Sequence, residues 1–222
     1  MDNGTVNSEQ QNSAPDPGPA DPDRSAGATE APVAKRRAGL LLVVAALSYG
    51  VDVVTKVLAT AGLEGGEPVR ILGGAVYLQL LRNPYAAFGM SFGGTWVLTV
   101  VAALVVVGIL WFARRLRSAG WAVGLGLILA GALGNLTDRI FRAPGAFRGH
   151  VVDFVSVFAP NGEFFPVFNA ADSAITVGAV LIVLLTALGR EYDGTRTGKQ
   201  RGGRSHPRTA GDGAGAAGED RA

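Results

Sequence analysis

The sequence contains no cysteine. That excludes disulfide staples, thiolate metal sites and a cysteine nucleophile. Histidine is nearly missing too: His150 and His206 are the two in 222 residues, too few for a histidine-based metal centre. No cofactor and no metal are expected. Excess charge is also lacking, and a net charge of +2 argues against nucleic acid as a partner. No cleavable leader is expected, because the first apolar run begins only near Ala38. Large apolar side chains are scarce in residues 1–34, which are rich in Ser, Asn, Asp, Pro and Gly, and in residues 193–222, which are rich in Gly, Arg, Ser and Ala. Neither stretch can bury enough apolar surface to offset the entropy of ordering it. The sequence therefore predicts disordered tails at 1–35 and 193–222 around one domain at 36–192.

What is abundant is long apolar runs. Ala38 to about Leu63, Thr95 to Phe112, Gly120 to Leu136 and Ala174 to Leu188 are each near the length that crosses a ~30 Å hydrocarbon core at about 1.5 Å per residue. Gly124, Gly126, Gly131 and Gly134 line the third run, and small residues let membrane helices approach closely. Between the first two runs, Val76, Leu78 and Leu80 alternate with Tyr77 and Gln79, which predicts strand structure. Arg82-Asn-Pro-Tyr-Ala-Ala-Phe-Gly89 then reads as a tight loop at the membrane surface. The expected fold is an all-α membrane protein of four transmembrane helices, with a small extracytoplasmic β-rich segment between helices 1 and 2.

The basic residues orient these runs. Lys35, Arg36, Arg37, Arg114, Arg115, Arg117 and Arg190 all fall on one side of a four-span arrangement, and the positive-inside rule makes that side cytoplasmic. Both termini are then inside, and the connections 64–94 and 137–173 are outside. Arg139, Arg142 and Arg148 lie on the outer side, where carboxylates or lipid phosphates would pair with them. Trp96, Trp111 and Trp121 sit near span ends, as aromatic belts do.

The outer side also gathers the polar residues. Asp153 and Asp172 are nineteen positions apart, each among apolar neighbours. Ionisable groups at membrane depth are costly and usually face a partner, a cavity or a substrate. Two carboxylates that meet share a proton and can activate a water. Asp172 opens the fourth run, where a helix dipole favours negative charge, so it is the expected ionised partner. Asp52 and Lys56 are four apart and can pair on one helix face, either as a structural anchor or in support of the site. Asn169 is placed to cap the fourth helix. Asp138 is expected in an interfacial ion pair with Arg139, and His150 as a surface or loop histidine.

The stretches Asp52-Val-Val-Thr-Lys56, Arg82-Asn-Pro-Tyr-Ala-Ala-Phe88, Gly131-Ala-Leu-Gly-Asn-Leu-Thr-Asp-Arg139, His150-Val-Val-Asp-Phe154 and Phe168-Asn-Ala-Ala-Asp172 with the residues to Gly178 together resemble the motifs of lipoprotein signal peptidase (signal peptidase II), a family of bacterial membrane aspartic peptidases. They cover the membrane domain in the family's order. The clearest departure is Phe141 to Arg148, slightly expanded before His150. The resemblance implies that Asp153 and Asp172 are a catalytic dyad, with supporting roles for Asp52, Asn83, Asn135, Arg139 and Asn169. The substrates it implies are prolipoproteins whose cysteine carries a diacylglyceryl group, cut just before that cysteine. It places the enzyme in the bacterial inner membrane with its site at the outer face, as a monomer among membrane lipids. Two other classes compete. A proton-coupled transporter would place acids near the bilayer midplane and often carries internal repeats, but these acids lie at one interface and no repeat is visible. A metal-dependent transferase of lipid head groups would want a denser carboxylate cluster than Asp138, Asp153 and Asp172 provide.

Overall fold

The computed structural model describes residues 1, 35–85 and 95–197. The expectations for the loop following Tyr85 and for most of the two tails lie outside the described residues. The elements run α1 (Ala38–Leu63), β1 (Val69–Ile71), β2 (Val76–Asn83), α2 (Thr95–Phe112), α3 (Ala119–Phe141), β3 (Val151–Val157) and α4 (Ala170–Ala187). All four helices are long and apolar enough to cross a membrane, and the chain is a multi-pass membrane protein. Leu47, Val54, Leu104, Val107, Val180 and Val183 point outward. In water such a surface would aggregate; against lipid tails it costs nothing.

Two helices outrun their apolar stretches. α3 continues through Asn135, Asp138 and Arg139 to Phe141, and α4 begins at Ala170 rather than Ala174. Hydropathy marks where a helix meets lipid, not where its hydrogen bonds stop. The polar turns stay helical because other protein elements cover them.

α3 is the packing centre, flanked by α1, α2 and α4. Its small residues permit the approach. A Cβ on Gly124 would come within 3.2 Å of the Gly178 carbonyl oxygen on α4, and one on Gly178 within 2.6 Å of the Gly124 oxygen. A Cβ on Gly134 would run into the Asp52 carboxylate and lie 3.2 Å from Ala171 Cβ. Leu41, Ala45, Ile109, Ala113, Leu116, Ala122 and Leu129 form a buried core towards the other end.

The sheet is antiparallel in the order β1-β2-β3. β1 and β2 lie between α1 and α2, where alternation predicts strand. β3 comes from the connection between α3 and α4, a stretch too uniformly apolar to alternate. β2 carries an irregularity between Leu78 and Leu81, where Leu78 pairs with Val155 but Leu81 with Asp153. One extra residue on β2 reverses its alternation. Leu81 and Asn83, rather than Leu80, therefore follow Val76 and Leu78 on the face shared with Asp153. Gln79, expected to face away from the apolar side, is buried and accepts a hydrogen bond from Asn161 N at 2.8 Å.

Candidate active site

The site is assembled where β3 meets the N-terminus of α4. Phe168 adds to the edge of β3: its N–H donates to Val155 O at 2.9 Å, and its carbonyl accepts from Val155 N at 2.9 Å. The next residue, Asn169, is the N-cap of α4. Its side-chain oxygen accepts from Asp172 N at 2.9 Å, and the Asp172 carboxylate accepts in return from Asn169 N at 3.3 Å. This reciprocal capping box fixes Asp172 in the first turn. The amide nitrogen of Asn169 donates to Asp153 Oδ1 at 2.6 Å. One asparagine thus touches both carboxylates, its own side chain fully buried.

Asp153 is 2% exposed. Its second oxygen accepts from Asn83 Nδ2 at 2.9 Å. Burial, and then the negative charge of Asp172, push the Asp153 carboxyl up to about 7, against the pull of the Asn83 and Asn169 donors and of Lys56. Asp172 is only partly buried and accepts from Asn135 Nδ2 at 2.8 Å. The two acids therefore differ in setting: one is enclosed and inclined to hold a proton, the other is partly open in the first turn of α4.

Beneath them lies a charged layer. Lys56 Nζ, 1% exposed, is 2.9 Å from Asp52 and 2.9 Å from Asp138, and donates to Asn135 Oδ1 at 3.2 Å. Asp52 Oδ1 accepts from Ala171 N at 2.9 Å, which ties α1 to the first turn of α4. Asp52 and Lys56 are both a structural pair and neighbours of the site. Arg139 is 7% exposed. It donates to Asn135 O at 3.3 Å and to Tyr85 O at 3.4 Å, while its Nε has no acceptor among the described residues.

One sequence expectation is corrected. Asp138 is not in an interfacial pair with Arg139. It is 3% exposed and bonded to Lys56, to Arg142 Nε at 2.5 Å and to Val152 N at 3.2 Å. Adjacent residues on a helix point about 100° apart, so Arg139 could not share its face. The i,i+4 spacing of Asp138 and Arg142 was the available signal. His150 lies in a partly exposed loop, as expected. Among the described residues no group of three His, Asp or Glu side chains is placed to hold a metal ion.

The fold and site define a four-span membrane protein that carries a paired-carboxylate centre where a small sheet meets the helix ends. Residues 44–188 match the family model described as signal peptidase (SPase) II. Among curated proteins, the lipoprotein signal peptidase of Rhodococcus jostii (strain RHA1) is 53% identical over 181 residues, covering 82% of this chain and 89% of the relative. That of Mycolicibacterium smegmatis (strain ATCC 700084 / mc(2)155) is 52% identical over 196 residues, covering 87% and 80%. Two solved structures, each described as a bacterial membrane enzyme structure obtained by the in meso method at 2.3 and 1.9 Å, superpose with TM-scores of 0.59 and 0.57 at 27% identity. They cover 67% of this chain, and 88% and 92% of their own. The chain belongs to the signal peptidase II family of membrane peptidases.

Proposed function

We propose that the chain is an aspartic endopeptidase that removes signal peptides from diacylglyceryl-modified bacterial prolipoproteins, cutting just before the lipidated cysteine. The observation that carries this reading is that Asn169 holds both acids, its side-chain amide donating to the Asp153 carboxylate and its backbone N–H to the Asp172 carboxylate, with one acid enclosed and the other at a helix N-terminus. Such a pair holds one proton between two carboxyls. Asp172, ionised, takes a proton from a water as its oxygen attacks the scissile carbonyl carbon. Asp153, protonated, donates a hydrogen bond to the carbonyl oxygen as charge builds there. When the tetrahedral intermediate collapses, the C–N bond breaks and the dyad returns one proton to the departing amine of the lipidated cysteine. The water oxygen stays on the new carboxylate.

The remaining residues have supporting roles. Asn83 and Asn169 hold the Asp153 carboxyl, Asn135 holds Asp172, and Asp52 and Lys56 anchor that layer from α1. Arg139 has an Nε–H without an acceptor among the described residues, a donor for the substrate backbone or the oxyanion. The outward apolar helix faces would take the acyl chains and membrane lipids. We place the peptidase activity in residues 36–192, acting as a monomer in the bacterial inner membrane, with both termini cytoplasmic and the site at the outer face. The arginine-rich helix ends support that orientation, and a reporter fused after Gly162 should read out on the outer side.

The deciding experiment is cleavage of a diacylglyceryl-modified prolipoprotein by the purified protein, with and without chelator. Cleavage that survives chelation and vanishes in Asp153→Asn is expected. Cleavage lost to chelator would overturn the aspartic mechanism.

A further inference from the structure

We propose that Asp138 is a positioning residue for the reaction: it sets the height of β3, and so the place of the Asp153 carboxyl opposite Asp172. This rests on the reading of those two acids as the dyad. Asp138 Oδ2 has two partners. It accepts a hydrogen bond from the backbone N–H of Val152, the residue before Asp153, at 3.2 Å. It is also ion-paired with Lys56 Nζ at 2.9 Å. The chain leading into β3 is pinned to the same helix end: Gly149 N donates to Arg139 O at 2.9 Å and His150 N to Ala143 O at 3.0 Å. Gly149 fits there only because it lacks a Cβ, which would press on the carbonyl oxygens of Asp138, Arg142 and Arg139. Val151 and Val152 are buried, so the strand cannot slide without breaking a buried bond.

The same carboxylate reaches the other half of the dyad. Lys56 is held by Asp138 and Asp52, and its ammonium donates to Asn135 Oδ1. An ammonium on that oxygen fixes which way the Asn135 amide faces, because Lys has donors only. The amide nitrogen is thereby turned to Asp172. Asp138 thus stands behind both acids: behind Asp153 through a backbone N–H, and behind Asp172 through Lys56 and Asn135. With Asp52, Lys56 and Arg142 it forms a set of two anions and two cations, buried except for the partly exposed Arg142. Such a set could equally exist only to neutralise Lys56, since a buried charge without a partner is costly.

Two substitutions separate position from charge. Asp138→Glu keeps the charge and lengthens the side chain by one methylene, so the acceptor, the strand or Lys56 must move. Asp138→Asn removes the charge at constant length. Its amide oxygen can still accept from Val152 N and Lys56, while its NH2 turns to Arg142, which is partly exposed and can swing into solvent. Positioning predicts that Asp138→Glu loses about 100-fold in kcat, as ångström-scale misplacement does, with KM little changed, and that Asp138→Asn retains at least about ten times more activity than Glu. Charge balance alone predicts the opposite order, and equal losses would also overturn the proposal.

Arg142→Gln disturbs the same cluster from outside and should leave kcat near that of the unmodified protein. Backbone amide exchange over residues 149–154 gives a readout independent of activity: it should be faster in Asp138→Glu than in Asp138→Asn. An Asp153→Asn control in the same assay keeps the two ideas apart. If that control still cleaves, the dyad assignment fails, whatever Asp138 does.

Discussion

The two ends of the helix bundle are closed in opposite ways. At the sheet end, α1, α3, α4 and β3 are joined by charged and amide side chains, namely Asp52, Lys56, Asn135, Asp138, Asp153 and Asn169, most of them buried. At the opposite end the joints are backbone and aromatic. Arg37 N donates to Leu116 O at 2.9 Å, and Arg117 N and Ser118 N both donate to Tyr192 O at 2.9 Å. The Tyr192 ring packs on Phe112 at 5.0 Å and on Trp121 at 6.2 Å, and Trp121 Nε1 donates to Arg190 O at 2.8 Å. The cations of that end stay near the surface; Arg115 lies 4.9 Å over the Trp111 ring. Both ends tie helices together, but only one buries charge. Buried ion pairs are a poor route to stability, since desolvation costs several kcal/mol per ion. The buried charges of the sheet end are therefore a weak source of stability compared with the apolar and backbone joints of the opposite end.

This contrast can be broken at several places. The largest effect is expected at the dyad. Asp153→Asn and Asp172→Asn should each lower kcat by about 10⁴-fold or more, and the double variant should be little worse than either, because groups acting as a unit do not add. Additive losses would mean that the two acids act separately. Next is Arg139→Lys. It keeps the charge but replaces a planar set of donors with a point charge, and kcat/KM should fall about 100-fold, the scale of one lost oxyanion donor. A variant within a few-fold of the unmodified protein would make Arg139 a structural cation only.

A smaller effect should appear in the pH profile. Burial and the Asp172 charge push the Asp153 carboxyl up to about 7, so cleavage should decline as pH rises through that region and the two acids lose their shared proton. Asn83 stabilises the carboxylate form, so Asn83→Ala should raise the pKa further and move the alkaline limb to higher pH. Movement to lower pH would contradict the assigned hydrogen bond. The smallest effect on catalysis is expected at the far end. Tyr192→Leu should cost about 1–3 kcal/mol of stability through its two lost ring pairs, seen as a lower Tm in detergent, with kcat unchanged. A large fall in kcat would show that the two ends are coupled.

The solvent and the outline are legible in the residues alone. Four runs of the right length, free of cysteine and nearly free of charge, can only be membrane helices, because backbone polar groups in lipid must be satisfied within the helix. Which residues would be chemically costly is legible there too, since an Asp or Lys inside an apolar run is visible without coordinates. The cap at Asn169 and the Asp52–Lys56 pair were legible because both are local, three and four residues apart. Tertiary structure alone decided the rest. β3 could not be read, because strand pairing is a contact between Asp153 and Leu81 with no local signature, and the irregularity in β2 that swings Asn83 onto the Asp153 face is invisible to a period-two pattern. Asp138 looked like half of a surface pair beside Arg139. Of its partners only Arg142 is local; Lys56 and Val152 lie on α1 and β3, brought to it by close packing through glycines and by the docking of Gly149 on the end of α3. Periodicity reports which side of an element is costly to expose. Only the packed chain decides which costly groups meet, because those meetings span residues far apart in sequence and depend on ångström-scale fit.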